Sequence, residues 1–333
     1  MTIAWRPPTR VDDAAWLGLL HAIDQADGRG ERMTRQDVDD EWASLWAHPA
    51  TDATFGWEDG GLVAFGWLKV QLRRGDRHRI ACWGGVHPEH RGRGIGVELL
   101  ERQLARAEEV APTLEPDWPA VVEVEALDAQ PGLQALVLAR GFEATGRLLE
   151  LARPLGPDAP PVVGAVTPAG LDLRRWSPEL DEPTRLAHNE AFEGQKVGEP
   201  HSRELWRQWL TGHRSFCPEL SRVMTDGGLV VGYVLAATYP ADWHHAGRRE
   251  LWLTTVGTRP SHRGRGVARA AITAVLEAAR AEGFERAILG VDAENPTGAV
   301  ELYRSLGFVQ VRATTTYGRT LNPGTASAGR CLA

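Results

Sequence analysis

Apolar residues along the chain fall into two rhythms, and the order of the rhythms repeats. In the second half, 171–175, 221–225, 229–238 and 250–257 are short runs rich in β-branched and apolar residues. Gly, Asp-Gly or longer polar stretches part them, and each predicts a strand. From 266 to 281 the period changes. Val267, Ala271, Ala274, Val275 and Ala278 recur every three or four residues, the stripe of an amphipathic helix, which Glu282-Gly283 closes. Helices are also expected at 179–192, 201–212 and 296–305, the last with Pro at its opening turn, with a strand at 287–291 and a β ribbon at 308–317. The first half runs parallel, with strands at 62–70, 80–86 and 121–125 and helices at 94–110 and 132–140. Successive strands joined by turns, with a strand–helix–strand crossover inside each half, predict an α/β (α+β) fold. Its sheets are mixed, mostly antiparallel and flanked by helices.

The parallel extends to residue identity. V-H-P-E-H-R-G-R-G-I-G at 86–96 returns as T-R-P-S-H-R-G-R-G-V-A at 258–268, and Arg-Gly-Phe at 140–142 returns as Leu-Gly-Phe at 306–308. Two ordered landmarks, each repeated about half a chain apart, indicate tandem duplication. Residues 153–170 are rich in Pro and Gly and read as a semi-rigid linker. Domains are therefore expected at 1–152 and 171–320, with a flexible tail at 321–333.

Composition narrows the function. The 333 residues give room for two cores, and a formal net charge of -7 speaks against a general grip on a nucleic-acid backbone. No apolar run approaches the ~20 residues that span a bilayer, and the first ten residues lack the features of a secretion signal. Neither a membrane nor a nucleic-acid partner is expected, and the cytoplasm is the expected location. Cys82, Cys217 and Cys331 are too few and too scattered for a disulfide framework or a zinc site. The oligomeric state is not legible.

The repeated turn carries chemistry. A strand, then Arg-Gly-Arg-Gly, then a helix forms an anion-binding construction, because the first N–H groups of a helix lack intrahelical partners and the macrodipole adds positive charge. Gly264 and Gly266, or Gly92 and Gly94 in the first half, let the backbone approach phosphate oxygens. Arg263 and Arg265, or Arg91 and Arg93, add charge, and Val267 and Ala268, or Ile95 and Gly96, open the helix. The ligand implied is a pyrophosphate. Neither G-x-G-x-x-G nor G-x-x-x-x-G-K-[ST] occurs at the turn, which disfavours a nicotinamide-dependent dehydrogenase and a P-loop kinase.

Arg263-x-x-Gly266-x-Ala268 and Arg91-x-x-Gly94-x-Gly96 resemble the Arg/Gln-x-x-Gly-x-Gly/Ala signature of the GNAT superfamily of acetyl-CoA-dependent N-acetyltransferases. Pro260 and Pro88 upstream, and Asn295, Tyr303 and Leu-Gly-Phe downstream, resemble it too. The likeness covers nearly the whole chain as two units, similar to bacterial two-domain acetyltransferases of the mycothiol-synthase type. It implies acetyl-CoA as cofactor and a small-molecule amine as acceptor. It further implies a thioester carbonyl held by a backbone N–H at Val256, Gly257 or Thr258 (84–86, ending at Val86, in the first half). Asn295 joins the cofactor contacts, and Tyr303 becomes the general acid that returns a proton to the thiolate. In the first half the counterparts of Tyr303 and Asn295 are Val137 and Ala129, so that unit is expected to be degenerate and the second to work.

The general base stays open at this stage. Glu250 opens the strand that leads to the cofactor contact, and by the period of two 250, 252, 254 and 256 share a face. His244 and His245 are the other candidates, and Thr254 and Thr255 are suited to orienting water. Trp206, Trp209, Trp243 and Trp252 lie where an acceptor pocket would be walled or a core anchored. A non-catalytic acyl-CoA sensor and a protein or peptide acetyltransferase are the alternatives to a small-molecule enzyme.

Overall fold

The computed structural model of the chain describes residues 2–322 apart from 31, 45, 47, 75, 163 and 194–199. For 72–74, 244–246 and 322 it describes the backbone only. The expected tail lies outside the described residues from 323 onward.

In chain order the elements are β1 (Ala4–Arg6), α1 (Asp13–Asp27), α2 (Arg35–Trp42), α3 (Pro49–Asp52), β2 (Ala53–Glu58), β3 (Gly61–Arg74), β4 (Arg77–Val86), α4 (Ile95–Val110), β5 (Ala120–Leu127), α5 (Pro131–Leu138) and β6 (Glu143–Pro154). The second run is β7 (Asp172–Arg175), α6 (Asp181–Ala191), α7 (Arg203–Trp206), β8 (Arg222–Asp226), β9 (Leu229–Ala237), α8 (Pro240–Ala246), β10 (Glu250–Thr258), α9 (Val267–Ala281), β11 (Arg286–Asp292), α10 (Ala299–Ser305) and β12 (Val309–Asn322).

The chain divides into two compact units, one of residues 1–147 with 314–333, the other of 148–313. In the first, the sheet runs β1-β2-β3-β4-β5 and is completed by 314–322 of β12, antiparallel to β5. In the second it runs β7-β8-β9-β10-β11 and is completed by 148–154 of β6, antiparallel to β11. The halves drawn from the repeat and the compact units therefore differ in their closing strands. The ribbon expected at 308–317 puts Ala313 in the core of the second unit and Tyr317 in that of the first. Residues 153 and 154, drawn as linker, are strand.

One neighbouring strand pair in each unit is parallel, β4 with β5 and β10 with β11, and a helix joins each pair, as parallel strands require. Each sheet buries both faces. In the second unit Ile272, Val275 and Leu276 of α9 cover one face with Leu251 and Leu253, while Ala187 of α6 and Trp206 of α7 cover the other with Tyr233 and Leu235. In the first unit Leu100 and Leu104 of α4 cover one face, and Trp16, Leu19 and Leu20 of α1 the other. The helices predicted at 94–110, 179–192 and 266–281 match α4, α6 and α9 to within two residues at each end, because long periodic stripes bury against a sheet.

Candidate active site

Both repeated turns take the same backbone course. Gly264 and Gly266 have φ of 72° and 78°, and Gly92 and Gly94 have 76° and 83°, all in the left-handed region that other residues avoid. Crowding is not the reason for glycine here, since a Cβ at Gly264 would meet nothing within 4 Å. Gly266 is the residue before α9 and offers no side-chain cap, so the first N–H groups of that helix are left for an outside acceptor. Val267 is buried, and its Cγ1 sits against Gly232, where a Cβ would clash, which fixes the helix start onto β9.

The two turns differ in charge. Arg263 donates to the carbonyls of Thr258 (3.4 Å) and Ala191 (2.7 Å), bracing the turn rather than reaching outward. Arg91 makes the same bond to Val86 O (3.2 Å), but its guanidinium grips Asp27 at 2.6 and 3.1 Å. Arg93 grips Glu58 at 2.8 and 2.6 Å, and those hydrogen bonds hold the Glu58 carboxyl below the usual carboxylate range. Its counterpart Arg265 is exposed and has no hydrogen bond or ion pair among the described residues. Asp226, which ends β8 as Glu58 ends β2, contacts His262 instead, at 3.2 Å. The first turn of α4 also carries Glu98, whereas no acid stands in the first turn of α9. Two carboxylates neutralise the first turn. The second keeps its positive charge.

Beside the second turn the parallel strands part. β10 pairs with β11 only from Glu250 to Trp252, while its pairing with β9 continues to Thr258. Residues 253–258, including Val256, Gly257 and Thr258, thus lack a strand partner on one side. A β-bulge interrupts the β9 pairing between Leu253 and Thr255, and no such irregularity occurs where β4 leaves β5 after Cys82. The bulge inserts one residue and reverses the alternation beyond it. Leu251, Leu253 and Val256 share one core, so Val256 does not share a face with Glu250, contrary to the reading by a strict period of two. Glu250 is buried against Arg248 (2.8 Å) and Arg286 (3.4 Å). At ~3.3 Å per residue it lies about 20 Å from Val256. The structure does not bring it to the splayed strands.

Tyr303, on α10, belongs to the same core as Leu253 and Val256, buried and set edge-on to Phe308 at 6.0 Å. Burial pushes its hydroxyl up to about 12. Val137 takes the corresponding place on α5, fully buried. Asn295 accepts from the N–H of Thr297 (2.9 Å) and from its hydroxyl, shaping the entry to α10, which starts at Ala299 rather than 296. The Thr258 hydroxyl, at the end of β10, is buried with no partner among the described residues. That orphan, the uncapped helix start and the unpaired Arg265 together fit a diphosphate-bearing ligand. Trp206 and Trp243 are core anchors: Trp206 donates to Asp181 at 2.7 Å and Trp243 to the Glu250 carbonyl at 3.0 Å. Trp252 is half-buried and Trp209 exposed. The side chains of His244 and His245, on α8, lie outside the described residues.

Sequence reasoning missed one cluster. Tyr233 Oη lies 2.6 Å from His188 Nδ1, and His188 Nε2 lies 3.2 Å from His201 Nδ1. The available signal was a Tyr on a strand that reads as core and a His on the apolar side of α6. Burial, with His201 adding to it, pushes His188 down to about 3. Between pH 6.5 and 3 the unfolded chain binds a proton that the folded one refuses, so stability falls as pH falls through that window. Thermal melts should therefore show a steeper loss of Tm from pH 7 to 5 in the native chain than in His188→Gln. Equal slopes would refute this.

Parallel strands that splay beside a glycine-rich turn at a helix start, present twice, define a tandem acetyltransferase fold. The chain belongs to the acetyltransferase (GNAT) family, whose model matches residues 18–115 and 182–308. It is 28% identical over 318 residues to the mycothiol acetyltransferase of Saccharomonospora viridis, covering 93% of this chain and 95% of that protein. It is 31% identical over 242 residues to that of Thermobispora bispora, covering 70% and 74%. Among solved structures, a GCN5-related N-acetyltransferase from Sphaerobacter thermophilus superposes with a TM-score of 0.76 at 25% identity, over 97% of this chain and 96% of that one. A tandem GNAT protein from the clavulanic acid biosynthesis pathway shares the fold, with a TM-score of 0.68 at 18% identity over 97% and 100%. The chain is an acetyltransferase. Among the described residues no helix is long and apolar enough to cross a membrane.

Proposed function

We propose that the chain transfers an acetyl group from acetyl-CoA to a primary amine of a small molecule, with the chemistry confined to the unit of residues 148–313. One observation carries this reading: the second turn keeps an Arg265 that has no partner among the described residues and is followed by Tyr303, whereas the first has its arginines neutralised and is followed by Val137. In this reading the N–H groups of Val267 and Ala268, the Gly264 and Gly266 backbone, Arg265, the Thr258 hydroxyl and the Asn295 amide hold the diphosphate arm. Acetyl-CoA, when bound, supplies an activated carbonyl and a thiol leaving group. The backbone N–H groups at 256–258 orient and polarise that carbonyl, donors fixed before the charge develops. Tyr303 holds the proton that the departing sulfur needs. Glu250 is assigned a structural place, bracing the start of β10.

The relatives' name, mycothiol acetyltransferase, supports a small-molecule acceptor over a protein. The first unit is read as a structural copy that holds no cofactor, and the free thiols of Cys82 and Cys217 suit a cytoplasmic setting. Calorimetry is expected to count one acetyl-CoA per chain, and thiol release is expected to require an added small primary amine. Two molecules bound with equal affinity would refute the degenerate first unit. Binding without thiol release for any amine would favour the sensor.

A further inference from the structure

The splayed part of β10 is approached from the α6 side by the Tyr233 hydroxyl. Tyr233 pairs directly with Gly257, and a Cβ at 257 would stand 2.5 Å from Cε1, 2.6 Å from Cζ and 2.6 Å from Oη of its ring. Glycine at 257 is thus what allows the ring to lie across β10, with its oxygen over the stretch that has no partner strand. Behind that oxygen stands His188, then His201. Tyr233 and His188 are buried, whereas His201 is half-exposed, so the three groups lead from the strand to the surface. Phe192 and Trp206 enclose the His188 ring, and Arg185 and Asn189 both donate to the His201 carbonyl, at 2.6 and 3.2 Å.

The first unit supplies an internal control. There Phe65 pairs with Gly85 as Tyr233 pairs with Gly257, and the nearest atom to a Cβ at 85 is Ile23 Cδ1, at 2.7 Å. The hydroxyl is replaced by a phenyl ring, and where His188 stands eighth in α6, the eighth residue of α1 is Leu20. The copy that lacks Tyr303 also lacks this chain of exchangeable protons. A purely architectural role for Tyr233 and His188 would not require both to disappear with the acid.

We propose that Tyr233, His188 and His201 form a proton relay that takes the acceptor amine's proton at β10 and passes it to solvent. The inference rests on the acetyl-transfer reading above and adds the base that reading lacks. Before attack the acceptor's ammonium nitrogen gives one proton to Tyr233 Oη. The freed amine then bonds to the acetyl carbon, the carbon–sulfur bond breaks, and the nitrogen's second proton is lost to water. The proton already on Tyr233 moves to His188 Nδ1, the one on His188 Nε2 moves to His201 Nδ1, and His201 releases its own to water. Tyr303 protonates the sulfur and recovers a proton from water, so of the two protons the nitrogen loses, one is balanced by the thiol and one is released to solvent. The heavy atoms need not move, because the same 2.6 and 3.2 Å contacts serve with donor and acceptor exchanged at each. His188, kept neutral by burial, has one N–H and one lone pair, as a relay member requires. Tyr233 is the catalytic residue here, and the two histidines are positioning residues that act through it.

The test uses the full-length chain with acetyl-CoA and two acceptors, a basic primary amine and hydroxylamine, which is already unprotonated at neutral pH. Tyr233→Phe and His188→Gln are expected to lower kcat with the basic amine by about 10²-fold. With hydroxylamine the loss should shrink to a few-fold, and the acetyl-CoA Kd from calorimetry should stay within about twofold. Independently of turnover, nitrogen NMR of the free protein should show His188 as a neutral imidazole at pH 7 whose Nδ1 signal shifts in Tyr233→Phe. Equal losses with both acceptors, unimpaired turnover in Tyr233→Phe, or a His188 signal indifferent to that substitution would each overturn the relay and leave the acetyl-transfer reading standing. A native chain that releases no thiol with either acceptor would overturn that reading and the relay with it.

Discussion

Gly266→Asp is expected to abolish acetyl-CoA binding, raising its Kd by at least about 100-fold, close to 3 kcal/mol. Two physical effects add. A residue with a Cβ at φ of 78° resists the left-handed conformation at a cost of about 1–2 kcal/mol. A carboxylate at that position also faces the helix start that is meant to receive phosphate oxygens, supplying a resident anion in the ligand's place. The first unit shows what resident anions do to this construction, since Asp27 and Glu58 already absorb Arg91 and Arg93. Gly266→Ala separates the contributions. It carries the conformational cost without the charge and should weaken binding by no more than about tenfold. Calorimetry, with thermal melts to confirm folding, is the measurement. Undiminished binding in Gly266→Asp would mean that the cofactor lodges elsewhere.

Some of this site was legible in the chain and some was not, for reasons that particular residues make clear. The turn at 263–266 and α9 were legible because glycine spacing and a helical stripe are local properties, fixed by φ and by the period of side-chain directions. The face on which Val256 lies was not, because a bulge at 253–255 leaves no mark in composition and reverses every assignment beyond it. Glu250 read as a base because strand position alone cannot reveal that Arg248 and Arg286 absorb its charge. Tyr233 and His188 look like ordinary core positions on a strand and a helix, and only tertiary packing joins them across forty-five residues. Which unit each closing strand completes was hidden by the same token. The alternating pattern of 309–322 fits a sheet edge without saying whose edge it is. Neutralisation of the first turn was equally hidden, since Asp27 and Glu58 lie far from Arg91 and Arg93 in sequence.

Tyr303→Phe is expected to lower kcat by about 10²-fold, near 2.7 kcal/mol of transition-state stabilisation, with the acetyl-CoA Kd unchanged. The low end of acid catalysis applies because a thiolate is already a fair leaving group, with a solution pKa of about 8.5. Folding should tolerate the change. The Tyr303 hydroxyl makes no hydrogen bond among the described residues, so its removal strands no buried partner, and Tm should move by only a few degrees. The pH profile separates this role from simple packing. Burial raises the hydroxyl to about 12, so the acid stays protonated through neutral and mildly alkaline solution. Its contribution should be lost only as pH rises through about 12, while stability linked to the same group should fall as pH rises from about 10 toward 12. The native-to-variant ratio of kcat should therefore stay flat between pH 7 and 9. A ratio that collapses in that interval, or a variant with native turnover, would show that the sulfur takes its proton from water and that Tyr303 is only a wall of the cleft.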